Sequence, residues 1–264
     1  MKAMILAAGF GTRLRPLTDH RPKALVEING RTLLELTLTS LRSFGVSEVI
    51  VNVFHFADMI AEYLSANRNF GMHIEISRES VLLDTGGGLK KAAYFFAQQS
   101  SRPEEPFILH NVDVLSAIDL RRMLQFHTEN HALATLAVHA RKTSRYLLFD
   151  HRLQLCGRRS DVNERDKYDK NDNTADDHSL PQPLAFSGIH VISPRLLGLM
   201  TEDGAFSIID SYLRLAAHGE KILAFRADEY YWRDLGTPEN IAQAAHDLEQ
   251  QILASKLAPS TPRS

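Results

Sequence analysis

The chain contains a single cysteine, Cys156. One thiol excludes an internal disulfide and any multi-cysteine zinc site, and the plain expectation for Cys156 is a small apolar filler. An excess of one charge sign is also missing: 30 Lys and Arg against 32 Asp and Glu leave a formal net charge of −2. That balance lacks the broad basic field that non-specific nucleic-acid binding requires. It leaves room for a local basic pocket around one anionic small molecule. No stretch approaches the ~18 apolar residues of a transmembrane helix. The apolar run at the N-terminus is too short for a signal peptide, and Arg13 and Arg15 follow at once. A cytoplasmic protein that binds neither nucleic acid nor membrane is expected. The 12 histidines are read as lacking any His-x₃-His spacing and are assigned to no metal.

What is present is ordinary for a soluble globular protein, with 44% apolar and 23% charged residues over 264 positions. That length suits one large α/β domain or two small ones. Apolar periodicity predicts strands over 3–8, 48–53, 73–77, 106–110 and 133–139, separated by helices over 31–44, 57–64, 88–98 and 120–131. This alternation implies right-handed βαβ units and a mostly parallel, Rossmann-like sheet flanked by helices. The second half reads differently. A hairpin is expected around Asp150-His151, then strands over 184–192, 222–225 and 230–233 and helices over 196–200, 208–217 and 238–253, the last capped by Thr237. Residues 157–183 are dense in charged and amide side chains and are expected to form a mobile loop. Without repeat or linker, residues 1–254 are expected to be one domain, with 255–264 a disordered tail.

Four segments carry candidate chemistry. The first follows the first strand: Ala7 and Ala8, then Gly9-Phe10-Gly11-Thr12-Arg13-Leu14-Arg15, then Pro22-Lys23. Glycines at the carboxyl end of a parallel strand admit phosphate close to backbone N–H groups, and Arg13, Arg15 and Lys23 add charge-assisted contacts. Gly9 and Gly11 alone also fit a plain turn. The segment is not a Walker A loop, and Leu14 stands where a dinucleotide fingerprint needs its third glycine. The second segment, Asp84-Thr85-Gly86-Gly87-Gly88, precedes the predicted helix and fits either close ligand approach or a flexible turn. The third pairs Asn111-Val112-Asp113, at a strand tip, with distant Asp234. Each Asp alone reads as a cap or turn residue, but two converging carboxylates with phosphate oxygens suit Mg²⁺. The fourth, Ser187-Gly188, puts a glycine inside a strand, which fits a bulge or a close approach to ligand. The cluster Arg141-Lys142-Thr143-Ser144-Arg145 fits either a solvated turn or a hold on an acceptor phosphate.

The run from Leu6 to Thr18 with Pro22-Lys23 resembles the signature of the sugar-1-phosphate nucleotidyltransferase family (GT-A-like), and the resemblance extends over about residues 1–250. It implies Mg²⁺-dependent transfer of a nucleoside monophosphate from an NTP to a sugar 1-phosphate. It further implies nucleotide binding by Ala7, Ala8, Gly9, Gly11, Thr12, Arg13, Lys23, Thr85, Gly86, Gly87 and Asn111. Catalytic roles fall to Arg13, Lys23 and Asp113, sugar binding to Ser187, Gly188 and Asp234, and metal binding to Asp113 and Asp234. The Thr-Gly-Gly-Gly form looks most like N-acetylmuramate 1-phosphate uridylyltransferases, which implies UTP. The alternative is GTP with mannose or heptose 1-phosphate, as in mannose-1-phosphate guanylyltransferase-like proteins. Val112 stands where the family usually has Gly. The family's larger members carry a C-terminal β-helix, which the short polar end of this chain gives no reason to expect. A monomer or small homo-oligomer is expected. A non-catalytic nucleotide-sugar sensor and a nicotinamide-dependent oxidoreductase are the rival classes. The retained Arg13, Lys23, Asp113 and Asp234 oppose the first, and the missing third glycine opposes the second.

Overall fold

β1 (Lys2–Leu6) is the axis of the sheet. In the computed structural model, which describes residues 1–97, 104–160 and 180–250, Ala3 and Ile5 point into one core and Met4 into the other. A strand apolar on both faces must be covered on both. The hairpin β2 (Glu27–Ile28) and β3 (Arg31–Thr32) turns through Asn29 and Gly30, both at positive φ. It delivers Thr32 as the cap of α1 (Leu33–Ser43), where its hydroxyl accepts from Glu35 N at 3.0 Å. Then come β4 (Glu48–Val53), α2 (Ala57–Ala66), β5 (His73–Arg78), α3 (Asp84–Lys91), α4 (Ala93–Ala97) and β6 (Phe107–Asn111). β4 and β6 flank β1 in parallel, and β5 extends β4 in parallel. Asn52, Leu6 and Asn111 are register partners, so three carboxyl ends finish side by side. This is where such sheets receive ligands.

The rest of the chain supplies the opposite wall. It runs β7 (Val114–Ser116), α5 (Leu120–Glu129), β8 (Ala134–His139), β9 (Arg145–Phe149), β10 (Leu155–Ser160), β11 (Gln182–Ile192), α6 (Arg195–Leu199), α7 (Ile208–Ala217), β12 (Ile222–Arg226), β13 (Trp232–Asp234) and α8 (Pro238–Glu249). Among the described residues the main sheet has nine strands, ordered β10-β9-β11-β6-β1-β4-β5, with β8 on β11 and β12 on β8. β11 is antiparallel to β6, β8 and β9. Outside the main sheet, β13 pairs antiparallel with β7 and sets Asp234 opposite Val114. One core lies under α1, α2, α5 and α8, the other under α3, α4, α6 and α7.

The α/β class, the mostly parallel sheet and the order of its elements follow the sequence expectations, with four corrections. The predicted loop 157–183 is narrower, because Gly157–Ser160 belongs to β10 and Gln182–Pro183 to β11. Its middle, 161–179, and the expected tail 255–264 lie outside the described residues. The polar Arg158 and Arg159 pair with β9 on an edge strand, where a charged face is no obstacle. Cys156 is exposed at the irregularity in β10 rather than a core filler. The triple glycine lies inside α3, not before it. His127 and His131 do stand four apart, but His127 is buried against Thr135, its Nδ1 3.0 Å from that hydroxyl. His131 leaves the helix at positive φ. No cluster of three or more His, Cys, Asp or Glu that could hold a metal forms among the described residues. Nor is any helix there long and apolar enough to cross a membrane.

Candidate active site

The cleft at the carboxyl ends of β1, β4 and β6 has a volume of about 460 Å³. Its floor is Leu6, Ala7 and Ala8, continued by Gly9, Gly11, Thr12 and Arg13. Gly11 has φ 66°, and a Cβ there would stand 3.0 Å from both Lys23 Cβ and Thr18 Cγ2. Any side chain would push this loop away from Lys23. Gly11 O accepts from Leu14 N at 2.9 Å and from Thr18 Oγ1 at 2.9 Å. Leu14, fully buried, pins the short 3₁₀ turn Thr12–Leu14 to the core. Arg13 remains exposed at the rim. Arg15 does not reach the cleft: it is exposed and pairs with Asp19 at 3.4 Å, which corrects the expectation that it faces phosphate.

Lys23 and Asp113 meet across the cleft, with Nζ donating to Oδ2. Asp113 follows β6, and its carbonyl accepts from Leu235 N at 2.8 Å. That bond brings in Asp234, whose Oδ1 accepts from Gly236 N at 2.8 Å. A Cβ on Gly236 would come within 2.5 Å of Arg13 Nη2 and 2.6 Å of Asp234 Oδ1. Gly236 therefore makes the gap through which the Arg13 guanidinium lies beside the Asp234 carboxylate. Arg13, Lys23, Asp113 and Gly236 line one opening, and Asp234 stands behind Gly236, bonded to its N–H.

Two polar side chains that sequence reasoning missed hold the wall. Asn52, buried, accepts from Ala7 N at 2.8 Å and donates to Glu79 Oε1 at 2.7 Å. Glu79 Oε2 accepts from Leu83 N at 2.9 Å. One amide side chain thus ties the glycine loop to the segment before α3. Its position at the tip of a parallel strand was the available signal.

Asp84 and Thr85 line the cleft, whereas Gly86 and Gly87 lie behind it. Both glycine N–H groups donate to Phe206 O, at 2.9 and 3.4 Å. A Cβ at Gly86 would sit 2.3 Å from the Phe206 ring, and one at Gly87 2.3 Å from Gly204 O. These glycines let α3 pack on the 204–206 segment, and their N–H groups do not face ligand space. Thr85 Oγ1 accepts from Ile208 N at 3.0 Å and ties α3 to the start of α7.

Asn111 lines the cleft. Gly188, at φ 76° in the bulge of β11, backs it, since a Cβ there would be 2.9 Å from Asn111 Nδ2 and Val114 Cγ2. Ser187 is buried, its Oγ 2.6 Å from His139 Nδ1 and its carbonyl accepting from Trp232 Nε1 at 2.8 Å. Arg141 lies over the Trp232 ring at 4.2 Å and donates from Nη2 to Phe186 O at 3.0 Å. Burial pushes its pKa down, opposed by Asp234 and then Tyr146. Burial also lowers His139, opposed chiefly by Asp228. Deeper in the sheet it pushes His110 down to about 4 and His190 to about 3, the latter with Nδ1 2.9 Å from Tyr212 Oη. These two are neutral structural groups.

A family model described as nucleotidyl transferase matches residues 2–155. Over 249 residues the chain is 33% identical to the N-acetylmuramate alpha-1-phosphate uridylyltransferase of Caulobacter vibrioides, covering 90% of this chain and 92% of that protein. It is 28% identical over 248 residues to a mannose-1-phosphate guanyltransferase of Yarrowia lipolytica, covering 91% of this chain and 62% of that protein. Among solved structures, UDP-glucose pyrophosphorylase complexed with UDP-glucose has the same fold, with a TM-score of 0.75 at 17% identity over 95% of this chain and 98% of that one.

Proposed function

The chain belongs to the nucleotidyl transferase family, and from that premise we propose that it moves a nucleoside monophosphate from UTP onto an N-acetylmuramate-like sugar 1-phosphate, releasing pyrophosphate. The carrying observation is that the glycine loop, the Lys23–Asp113 pair and Gly236 line one cleft. A phosphate oxygen of the acceptor attacks the α-phosphorus. That oxygen is already ionised, so the protein needs to orient and neutralise rather than deprotonate. Ala7, Ala8, Gly9, Gly11 and Thr12 cradle the triphosphate, Arg13 offsets charge on the departing pyrophosphate, and Lys23 draws the α-phosphate and the acceptor phosphate together. Thr85 and Asn111 orient the nucleoside, with Gly86 and Gly87 supporting Thr85 from behind. Ser187 and Gly188 shape the sugar side.

The donor set fits Mg²⁺. Asp113 lines the cleft just before β7, and Asp234 ends β13 opposite Val114, so two hard carboxylates lie close together; Mg²⁺ commonly takes one or two carboxylates and completes its shell with phosphate and water. When bound, the ion supplies charge neutralisation at the phosphates.

The Caulobacter relative, matched over nearly its whole length, favours UTP and an N-acetylmuramate-type acceptor. The Yarrowia relative keeps GTP with mannose 1-phosphate as the second reading. Pyrophosphate release with each of the four NTPs, against N-acetylmuramate, N-acetylglucosamine, mannose and heptose 1-phosphates, tests both. Turnover is expected with UTP and the first acceptor. No turnover with any pair refutes the reading.

A further inference from the structure

Asp234 is flanked by two cations, and the reaction above uses one of them. Arg13 meets the end of β13 at Gly236, while Arg141 meets its start at Trp232. Arg141 follows β8, and β8 is separated from β1 by β11 and β6. It stands outside the lining of the cleft and adjoins it through Phe186 O, two residues from Gly188, which backs the lining residue Asn111. Its guanidinium carbon lies 4.2 Å from the centroid of the Trp232 ring, and Nη2 is held by Phe186 O. Its Nε is buried and meets no acceptor among the described residues. Asp234 is the carboxylate whose charge acts on it, and no Asp or Glu forms an ion pair with it among the described residues.

A half-buried guanidinium with an unused donor is costly unless something pairs with it. Arg141 ends on no carboxylate among the described residues: it lies over an indole, bonds Phe186 O through Nη2 and leaves Nε unused. The indole contact restricts the guanidinium in advance, which lowers the ordering cost of recognising a multi-oxygen anion. Resting on the reading of the cleft as a nucleotidyltransferase site, we propose that Arg141 is a specificity-determining residue that binds an oxyanion of the acceptor sugar phosphate. The oxyanion is either the 1-phosphate itself or a carboxylate carried by the sugar. N-acetylmuramate 1-phosphate bears both groups, and N-acetylglucosamine 1-phosphate only the first.

Wild type, Arg141→Gln and Arg141→Lys separate these cases in steady state at saturating NTP. For each acceptor the wild type uses, Arg141→Gln is expected to raise the acceptor KM by about tenfold or more, as loss of a charge-assisted hydrogen bond does. The NTP KM should hold within about twofold, and Arg141→Lys should recover part of the loss. A rise with both acceptors assigns the phosphate, and a rise confined to the N-acetylmuramate compound assigns the carboxylate. The chain has one tryptophan, Trp232, so its fluorescence reports this site alone. Acceptor titration should change it in the wild type and not in Arg141→Gln. An unchanged acceptor KM in a folded Arg141→Gln overturns the inference. A wild type that turns over no acceptor overturns the reading beneath it instead.

Discussion

Exchanging one atom in Asn52 tests how the cleft wall is held. Asn52 is 2% exposed and Glu79 7%. The amide donates to the carboxylate at 2.7 Å, and no cation forms an ion pair with Glu79 among the described residues. In Asn52→Asp the Oδ1 contact with Ala7 N survives, but the donor becomes a second carboxylate oxygen. Two buried carboxylates at that spacing must share a proton. Unfolded carboxyls titrate near pH ~4, so taking up one proton at pH 7 costs about 1.36 kcal/mol for each of roughly three pH units, or ~4 kcal/mol. The same reckoning at pH 5 leaves ~1.4 kcal/mol. Urea unfolding of wild type and variant at both pH values measures the difference, and the histidine titrations common to both cancel. Asn52→Leu strips both bonds and leaves Ala7 N–H and Glu79 short of a partner, a loss of about 3–5 kcal/mol, less pH-dependent than that of Asn52→Asp. Equal destabilisation of Asn52→Asp at pH 7 and pH 5, or a loss under ~1 kcal/mol at pH 7, would refute the shared-proton reasoning.

Three further outcomes are expected. Asp113→Asn should lower turnover by about a hundredfold or more while leaving the far-ultraviolet spectrum and melting temperature near wild type, and near-normal turnover would sink its catalytic role. Burial holds His110 and His127 at about 4 and His190 at about 3, below the ordinary 6.5. Their unfolded forms protonate first, so stability is full above pH 6.5 and falls as pH drops towards 4. The three together should remove roughly 4 kcal/mol between pH 7 and 5.5, read as a shift in the urea midpoint. Gly188→Ala must adopt a positive φ and press on Asn111 and Val114. It should cost about 1–3 kcal/mol, lower the melting temperature by several degrees and reduce kcat/KM.

The parallel half of the sheet was legible because both faces are buried. Ala3 and Ile5 serve one core and Met4 the other, and the same alternation recurs at Val49, Ile50 and Val51. Such runs mark strands whatever surrounds them. β7 was missed and β13 was placed over 230–233, slightly early, both being three residues long and held by one another rather than by the main sheet. The cleft residues Gly11, Arg13 and Lys23 could be found because they lie within one stretch. Asp113 and Asp234 needed the family resemblance, because Leu235 N to Asp113 O is a contact that no spacing reveals. The triple glycine was misread for a physical reason. Composition reports that glycine permits close approach, but not whether a ligand or Phe206 and Gly204 will approach. Asn52 offered only its place at a strand tip and Glu79 no local pattern at all, since their importance lies in bonding to each other.

The bond between Leu235 N and Asp113 O also orders events in time. As the chain emerges from its N-terminus, β1, β4, β5 and β6 can pair, and the glycine loop can meet Lys23 and Asp113 before β13 exists. Such a nascent chain has the glycine loop, Lys23 and Asp113 without Asp234, Gly236 or the Trp232–Arg141 contact. β13, the last strand in the described chain, is therefore the one that completes the opening.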